Sequence, residues 1–202
     1  MRYTGPKARL CRREEVNLFG PEKDTKITQR RSSTPGVHGS ARGKKLSEFG
    51  VQLREKQKAK RMFGVSEKQF RRYVDHAVRS KSTTGNRLLQ LLELRIDNTL
   101  YRAGFARTRM QARQFVSHGH LLVNGKKVDI PSFEVHVGDV ISLHEKMFDS
   151  PYLSDIATLQ KFCPKWLQVD VKKKTITIAR LPESDEFEMA IAVHRIVEFY
   201  SR

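Results

Sequence analysis

The chain has 202 residues, 38% of them hydrophobic, with 39 Lys and Arg against 22 Asp and Glu and a net charge of +17. No apolar run approaches the roughly 18 residues of a membrane helix, the start MRYTGPKARL lacks the apolar core of a secretory signal, and Cys11 and Cys163 form no disulfide framework. This composition argues against a helical membrane protein or a disulfide-stapled secreted domain, and its charge calls for a polyanion that relieves self-repulsion.

Residues 1–45 are poor in apolar periodicity, and QRRSSTPGVHGSARGKK at 29–45 has too little apolar surface to fold alone. They read as an extended basic arm, mobile in the free protein and ordered on its partner. VQLREKQKAKRM at 51–62 is made of good helix formers with a cationic face. After Gly64, Ser66 and Gln69 form a capping box, and Phe70, Tyr73, Val74, Ala77 and Val78 follow at helical spacing. A third helix is predicted from Thr83 or Thr84 to near Gly104, apolar on more than one face.

A fourth helix starts at the capping box of Thr108 and Gln111, buries Met110, Ala112, Phe115 and Val116, and ends at Gly119. LLVNGKKV at 121–128 predicts a hairpin, because Asn-Gly supplies the positive φ angles of a two-residue turn. VHVGDVISL at 135–143 offers a strand with a Gly-Asp turn, LSDIATLQKFCP at 153–164 a short helix, and WLQVDVKKKTITIAR at 166–180 a second hairpin. FEMAIAVHRIVEFYSR at 187–202 predicts a buried helix.

The charge is uneven. Residues 1–127 hold 30 basic and 10 acidic side chains, whereas 128–202 hold 9 and 12. Between residues 98 and 128 there is no acid beside six basic side chains. Arg102, Arg107, Arg109 and Arg113 surround the start of the fourth helix, where outward N–H groups and guanidinium forks suit phosphate. Asn124, Lys126 and Lys127 add donors at the adjacent turn, and no aromatic interleaves with the cluster, which favours backbone and shape recognition over base stacking.

Other chemistry finds less support. His118 and His120 flank Gly119 without the further ligands that a zinc site needs. Cys11 in RLCRREE has no identifiable base. No Walker sequence, nucleotide-binding glycine fingerprint or HExxH occurs. Asp97 is expected to pair with Arg95 or Arg102 and orient a helix.

LELRIDNTLYRAGFARTRMQARQFVSHGHLLVNGKKVDIPS closely resembles the central region of the bacterial-type family of small-subunit ribosomal protein four. RYTGP, PGVHG at 35–39, LREKQKAKRMFGVSEKQFRRY at 53–73, TGNRLLQLLELRIDN at 84–98 and the terminal IVEFYSR match as well, in family order. The resemblance implies an α+β protein: an extended basic arm at 1–45, a helical subdomain at 46–92 completed by 181–202, and an α+β RNA-binding subdomain at 93–180 with its core at 93–145.

It also implies a structural constituent of the 30S subunit that binds 16S ribosomal RNA directly, nucleates assembly of the body and contributes to translational accuracy. The implied partners are small-subunit protein five, other small-subunit proteins and messenger RNA where it enters the ribosome, in a cytoplasm or an organelle matrix and with no membrane. Repression of its own message occurs in some members.

Candidate RNA contacts are Arg2, Tyr3, Arg12, Arg13, His38, Lys44 and Lys45 in the arm and Arg54, Lys56, Lys58, Arg61, Arg71, Arg72, Thr84 and Arg87 in the helical part. In the third part they are Arg102, Arg107, Arg109, Arg113, Gln114, Ser117, His118, His120, Asn124 and Lys126. Some members carry zinc in the arm on a Cys-x-x-Cys. Here Ala8 stands where the first cysteine would be and 12–40 hold none, so no cofactor is expected.

The same helix-and-hairpin module occurs in RNA pseudouridine synthases, and Arg95-Ile96-Asp97 resembles their Arg-Leu-Asp. There the aspartate follows the module in a large catalytic domain; here it precedes the module, which argues against an enzyme. A free-standing RNA chaperone built on the module would not need the arm or the helical part.

Overall fold

The computed structural model describes residues 3, 5–20, 29–31, 33–37, 39, 46–148, 163–187 and 190–201. Arg2, His38, Lys44, Lys45 and most of the helix predicted at 153–164 lie outside them. Among the described residues the order is α1 (Lys7–Glu14), α2 (Glu48–Met62), α3 (Glu67–Val78), α4 (Thr84–Glu93), α5 (Ile96–Arg102), α6 (Arg109–Ser117), β1 (Leu121–Val123), β2 (Lys126–Val128), β3 (Val140–Leu143), β4 (Leu167–Asp170), β5 (Thr175–Ile178) and α7 (Val193–Tyr200). The helices are segregated from one antiparallel sheet, so the fold is α+β. The chain divides into two compact units, Met1–Leu88 with Glu188–Arg202, and Leu89–Phe187.

The first unit is helical. Ser47 and Ser66 cap α2 and α3, accepting from the amides of Gly50 and Gln69. Phe70, Val74 and Ala77 are buried as the spacing predicts, but Val78 ends α3 facing solvent. One helix escaped the sequence reading: α1 lies within the arm, with Cys11 and Leu18 buried. Glu14, buried on α1, receives hydrogen bonds from Arg54 and Arg61 of α2, at 3.2 Å from Arg54. Burial pushes the Glu14 carboxyl above its ordinary value in spite of these arginines. Residues 7–14 are thus helical and partly buried, where an extended arm was expected over 1–45.

The C-terminal helix α7 closes this unit against α2. Phe49 and Phe199 sit 5.4 Å apart, and Lys56 Nζ lies 4.6 Å from the Phe199 ring centre. Glu67 accepts from Lys56 and Lys60, each at 2.8 Å, and from the Tyr200 hydroxyl at 2.9 Å. Burial alone would raise the Glu67 carboxyl, but these three donors outweigh it and hold it down to about 2. Since 2 is below the ordinary 4.5, this contact stabilises the fold above pH 4.5 and is lost as acid takes the pH down toward 2. In thermal melts Glu67→Gln is expected to lie below the parent at about pH 6, the gap closing toward about pH 2. A gap constant with pH would remove this assignment. The helix predicted over 187–202 is shorter, running only from Val193 to Tyr200.

In the second unit the third predicted helix is broken in two. Arg95 is extended (φ −68°, ψ 134°) and bridges Glu134. The amide of Ile96 donates to Phe133 O and that of Val135 to Leu94 O, so a strand-like pairing displaces helical bonds. The five strands run in the order β2-β1-β3-β5-β4, all antiparallel. Asn124 (φ 49°) and Gly125 (φ 78°) make the predicted turn, and β4 and β5 form the second hairpin. Of the stretch 135–143 the strand is β3, preceded by the expected Gly-Asp turn at Gly138 (φ 91°). Leu94, Leu100, Phe105, Val116, Leu121, Ile141, Trp166 and Ile176 fill the core.

The segment 181–187 stays with this unit although the expected boundary gave it to the helical part. Gln90 Nε2 donates to Pro182 O, and Arg180 forms two hydrogen bonds to Glu186 at 2.9 and 3.0 Å.

Candidate nucleic-acid interface

The break between α4 and α5 creates a buried ionic frame. Glu93, Arg95, Asp97, Asn98 and Thr99 are all nearly inaccessible. Asn98 Nδ2 donates to the Glu93 carboxylate at 2.7 Å and to its backbone carbonyl at 3.1 Å. Asp97 accepts from Arg95 on both oxygens, at 3.1 and 2.9 Å, and from Arg113 Nε of α6 at 2.8 Å. The predicted Asp97–Arg95 pair is present, whereas Arg102 pairs with Glu93 at 3.2 Å and donates to Glu186 O.

This frame orients the arginines at the start of α6. Arg109 Nε donates to Asn98 Oδ1 at 2.8 Å, and its guanidinium lies 4.5 Å from the Tyr101 ring centre. An aromatic does meet the basic cluster, contrary to expectation, but as a support for arginine. Thr108 caps α6 by accepting from Gln111 N, and Gln111 Oε1 accepts from Arg107 N. Arg107, Gln114, Ser117 and Lys126 are exposed, while Arg113 and Arg109 are half-buried. A guanidinium carries five donors, so an inner carboxylate and an outer phosphate can be held together.

The hairpin departs from expectation at Asn124. Its side chain donates to Asp139 Oδ1 at 2.8 Å and accepts from Val140 N at 2.9 Å, tying the turn to β3 rather than offering donors outward. Gly119 ends α6 at φ 68°, and a Cβ there would collide with the Lys127 side chain, which crosses it. His118 and His120 lie on either side with ring centres 5.7 Å apart. Among the described residues no group of three or more His, Cys, Asp or Glu could hold a metal ion.

In the first unit, several candidates have structural partners. Lys56 is buried on Glu67, and Lys58 pairs with Glu55 at 2.7 Å and donates to Ala190 O. Lys56 thus joins α2 to α3 and Lys58 ties α2 to the segment before α7, so each of these two candidate RNA contacts already has a partner inside the unit. Arg54 and Arg61 anchor α1 through Glu14. Arg12 clasps the 31–34 loop through Ser33 O at 2.8 Å and Arg31 O at 3.2 Å. Tyr3 donates to Pro6 O, Thr84 opens α4, and Arg87 is half-buried. Arg13, Arg71 and Arg72 are exposed.

Sequence reasoning missed Tyr101 and the buried Asn98 as supports of Arg109, and His144 as a neighbour of His120. The β1–β3 register, Leu121 opposite Leu143, brings His144 to His120, and no local signal in either segment announces it.

The family described as ribosomal protein S4/S9 N-terminal domain matches residues 2–93, and the S4 domain matches 94–141. A small ribosomal subunit protein uS4 of Desulfitobacterium hafniense is 50% identical, with 100% of this chain and 99% of the relative covered. The chain belongs to the uS4 family. Proteins of the same name from Natranaerobius thermophilus (47% identical) and Dictyoglomus turgidum (48%) likewise cover 100% of this chain and 99% of themselves. The S4 domain match contains α5, α6, the first hairpin and the start of β3, and with them Arg95, Asp97, Asn98 and the basic cluster, while Glu93 is the last residue of the first match.

Proposed function

We propose that the chain is a structural constituent of the small ribosomal subunit that binds 16S ribosomal RNA, nucleates assembly of the subunit body and contributes to translational accuracy. The observation that supports this most is the division of labour around α6. The acids Glu93 and Asp97 are buried and spent on pairing with arginines, while the stretch from 98 to 128 carries six basic side chains, Arg102 among them engaged inside the unit, and no acid. That arrangement suits the phosphates of a folded RNA. The names of the uS4 relatives supply the ribosomal setting.

In this reading the chain performs no chemistry, its arm works without zinc, and its protein partners are small-subunit protein five and other subunit proteins. Messenger RNA passes near it where it enters a cytoplasmic or organellar ribosome.

The test is equilibrium binding to a 16S transcript. Arg109→Ala and Arg113→Ala are each expected to weaken it by about 1–3 kcal/mol, as for a charge-assisted hydrogen bond, with the fold checked by circular dichroism. Unchanged affinity in both would show that this helix end is not the contact. Sedimentation free of small subunits in a cell extract would favour a free-standing RNA chaperone instead.

A further inference from the structure

A second cationic cluster lies past the C-terminal end of α6, built from four separate points of the fold. His118 closes α6, His120 leads into β1, Lys127 belongs to β2 and His144 follows β3. The His144 amide donates to His120 O at 2.8 Å, fixing the two strand ends together. His118 and His120 stand edge to face at 5.7 Å, and Phe115 backs His120 at 6.4 Å. The Lys127 chain lies across Gly119, which has no side chain to obstruct it.

The charges acting on His120 come from His118, His144 and Lys127, each cationic or able to become so. Burial and these neighbours hold its imidazole below the ordinary 6.5. The acids next in sequence, Asp129 and Glu145, are exposed beyond the strand ends. His144 Nδ1 accepts from Lys146 N at 3.3 Å, so its neutral form carries the proton on Nε2 as a donor.

We infer that His118, His120, Lys127 and His144 form a proton-linked site for a phosphodiester of an RNA backbone. The inference rests on the RNA-binding role proposed above and adds a chemistry to it. In the free protein His120 resists protonation beside these neighbours; an anion among the four side chains removes that resistance, so binding takes up a proton and tightens as pH falls.

The test measures the full-length chain on a 16S transcript at fixed ionic strength, comparing about pH 7.5 with about pH 5.5, across which histidine changes charge. The parent is expected to bind about tenfold tighter at the lower pH, the equivalent of one pK unit gained on binding. His118→Gln/His120→Gln is expected to gain less than about twofold, the remaining histidines setting that residue of slope. Equal gains in parent and variant overturn the inference. Failure of the parent to bind at either pH overturns the RNA role itself, whereas binding without pH dependence overturns only the proton linkage.

Should the double variant unfold, nuclear magnetic resonance of the parent's imidazoles decides. The His120 pKa is expected to rise with the RNA present, relative to chloride at equal ionic strength. A rise with inorganic phosphate alone, or with neither, overturns the assignment to an RNA phosphodiester.

Discussion

Asp97→Asn is expected to lower the unfolding free energy of the second unit by about 3–5 kcal/mol, because it removes the buried carboxylate charge that Arg95 and Arg113 share. Arg95 and Asp97 side chains are 5% and 4% accessible, and Asp97 also restrains Arg113 of α6. The loss is therefore larger than for a surface pair, whose removal costs about 1 kcal/mol or less. The measurement is denaturant unfolding followed by fluorescence of Trp166, the single tryptophan, which is fully buried in this unit. A midpoint shift worth under about 1 kcal/mol would mean that the frame is not held by this carboxylate. RNA affinity measured well below the unfolding midpoint is expected to fall as well, since Arg113 loses the restraint that sets its direction. Asp97→Glu, which keeps the charge at the wrong reach, separates the two effects by retaining more stability than binding.

The affinity for a 16S transcript is expected to fall by about 10³–10⁵ between 50 and 200 mM monovalent salt, the response of a protein that neutralises roughly 6–10 phosphates. The net charge of +17 and the acid-free 98–128 stretch supply the cations. Structure narrows which of them count. Lys56 and Lys58 are engaged inside the first unit, so Lys58→Ala is expected to leave the salt slope unchanged. Arg107→Ala or Lys126→Ala, at exposed positions, is expected to reduce it by about 1 each. A wild-type slope near zero would place the binding energy in base contacts and overturn backbone recognition.

Local features were legible wherever the deciding atoms lie within a few residues. Ser66 with Gln69, Thr108 with Gln111, Gly119 at the helix end and Asn124-Gly125 in the turn all act through their own backbone. The errors share a different cause. The run from 84 to 104 has continuous helical character, yet Arg95 leaves the helix to pair with Glu134, some forty residues on. Lys56 looks like a surface cation until α3 and α7 bring Glu67, Phe199 and Tyr200 around it. The α1 helix lies in an arm whose composition resembles a disordered tail, and it is held by a long-range carboxylate bridge.

Sequence by itself determined the cationic character, the α+β class, the family resemblance and the position of the basic cluster, because charge, turn chemistry and residue order are carried by the chain locally. Tertiary structure alone decided which cations are spent internally and which face outward. A charged side chain's role depends on what burial and distant partners leave around it, and the contacts among Asp97, Arg113, His120 and His144 exist only once strands and helices from separate stretches have met.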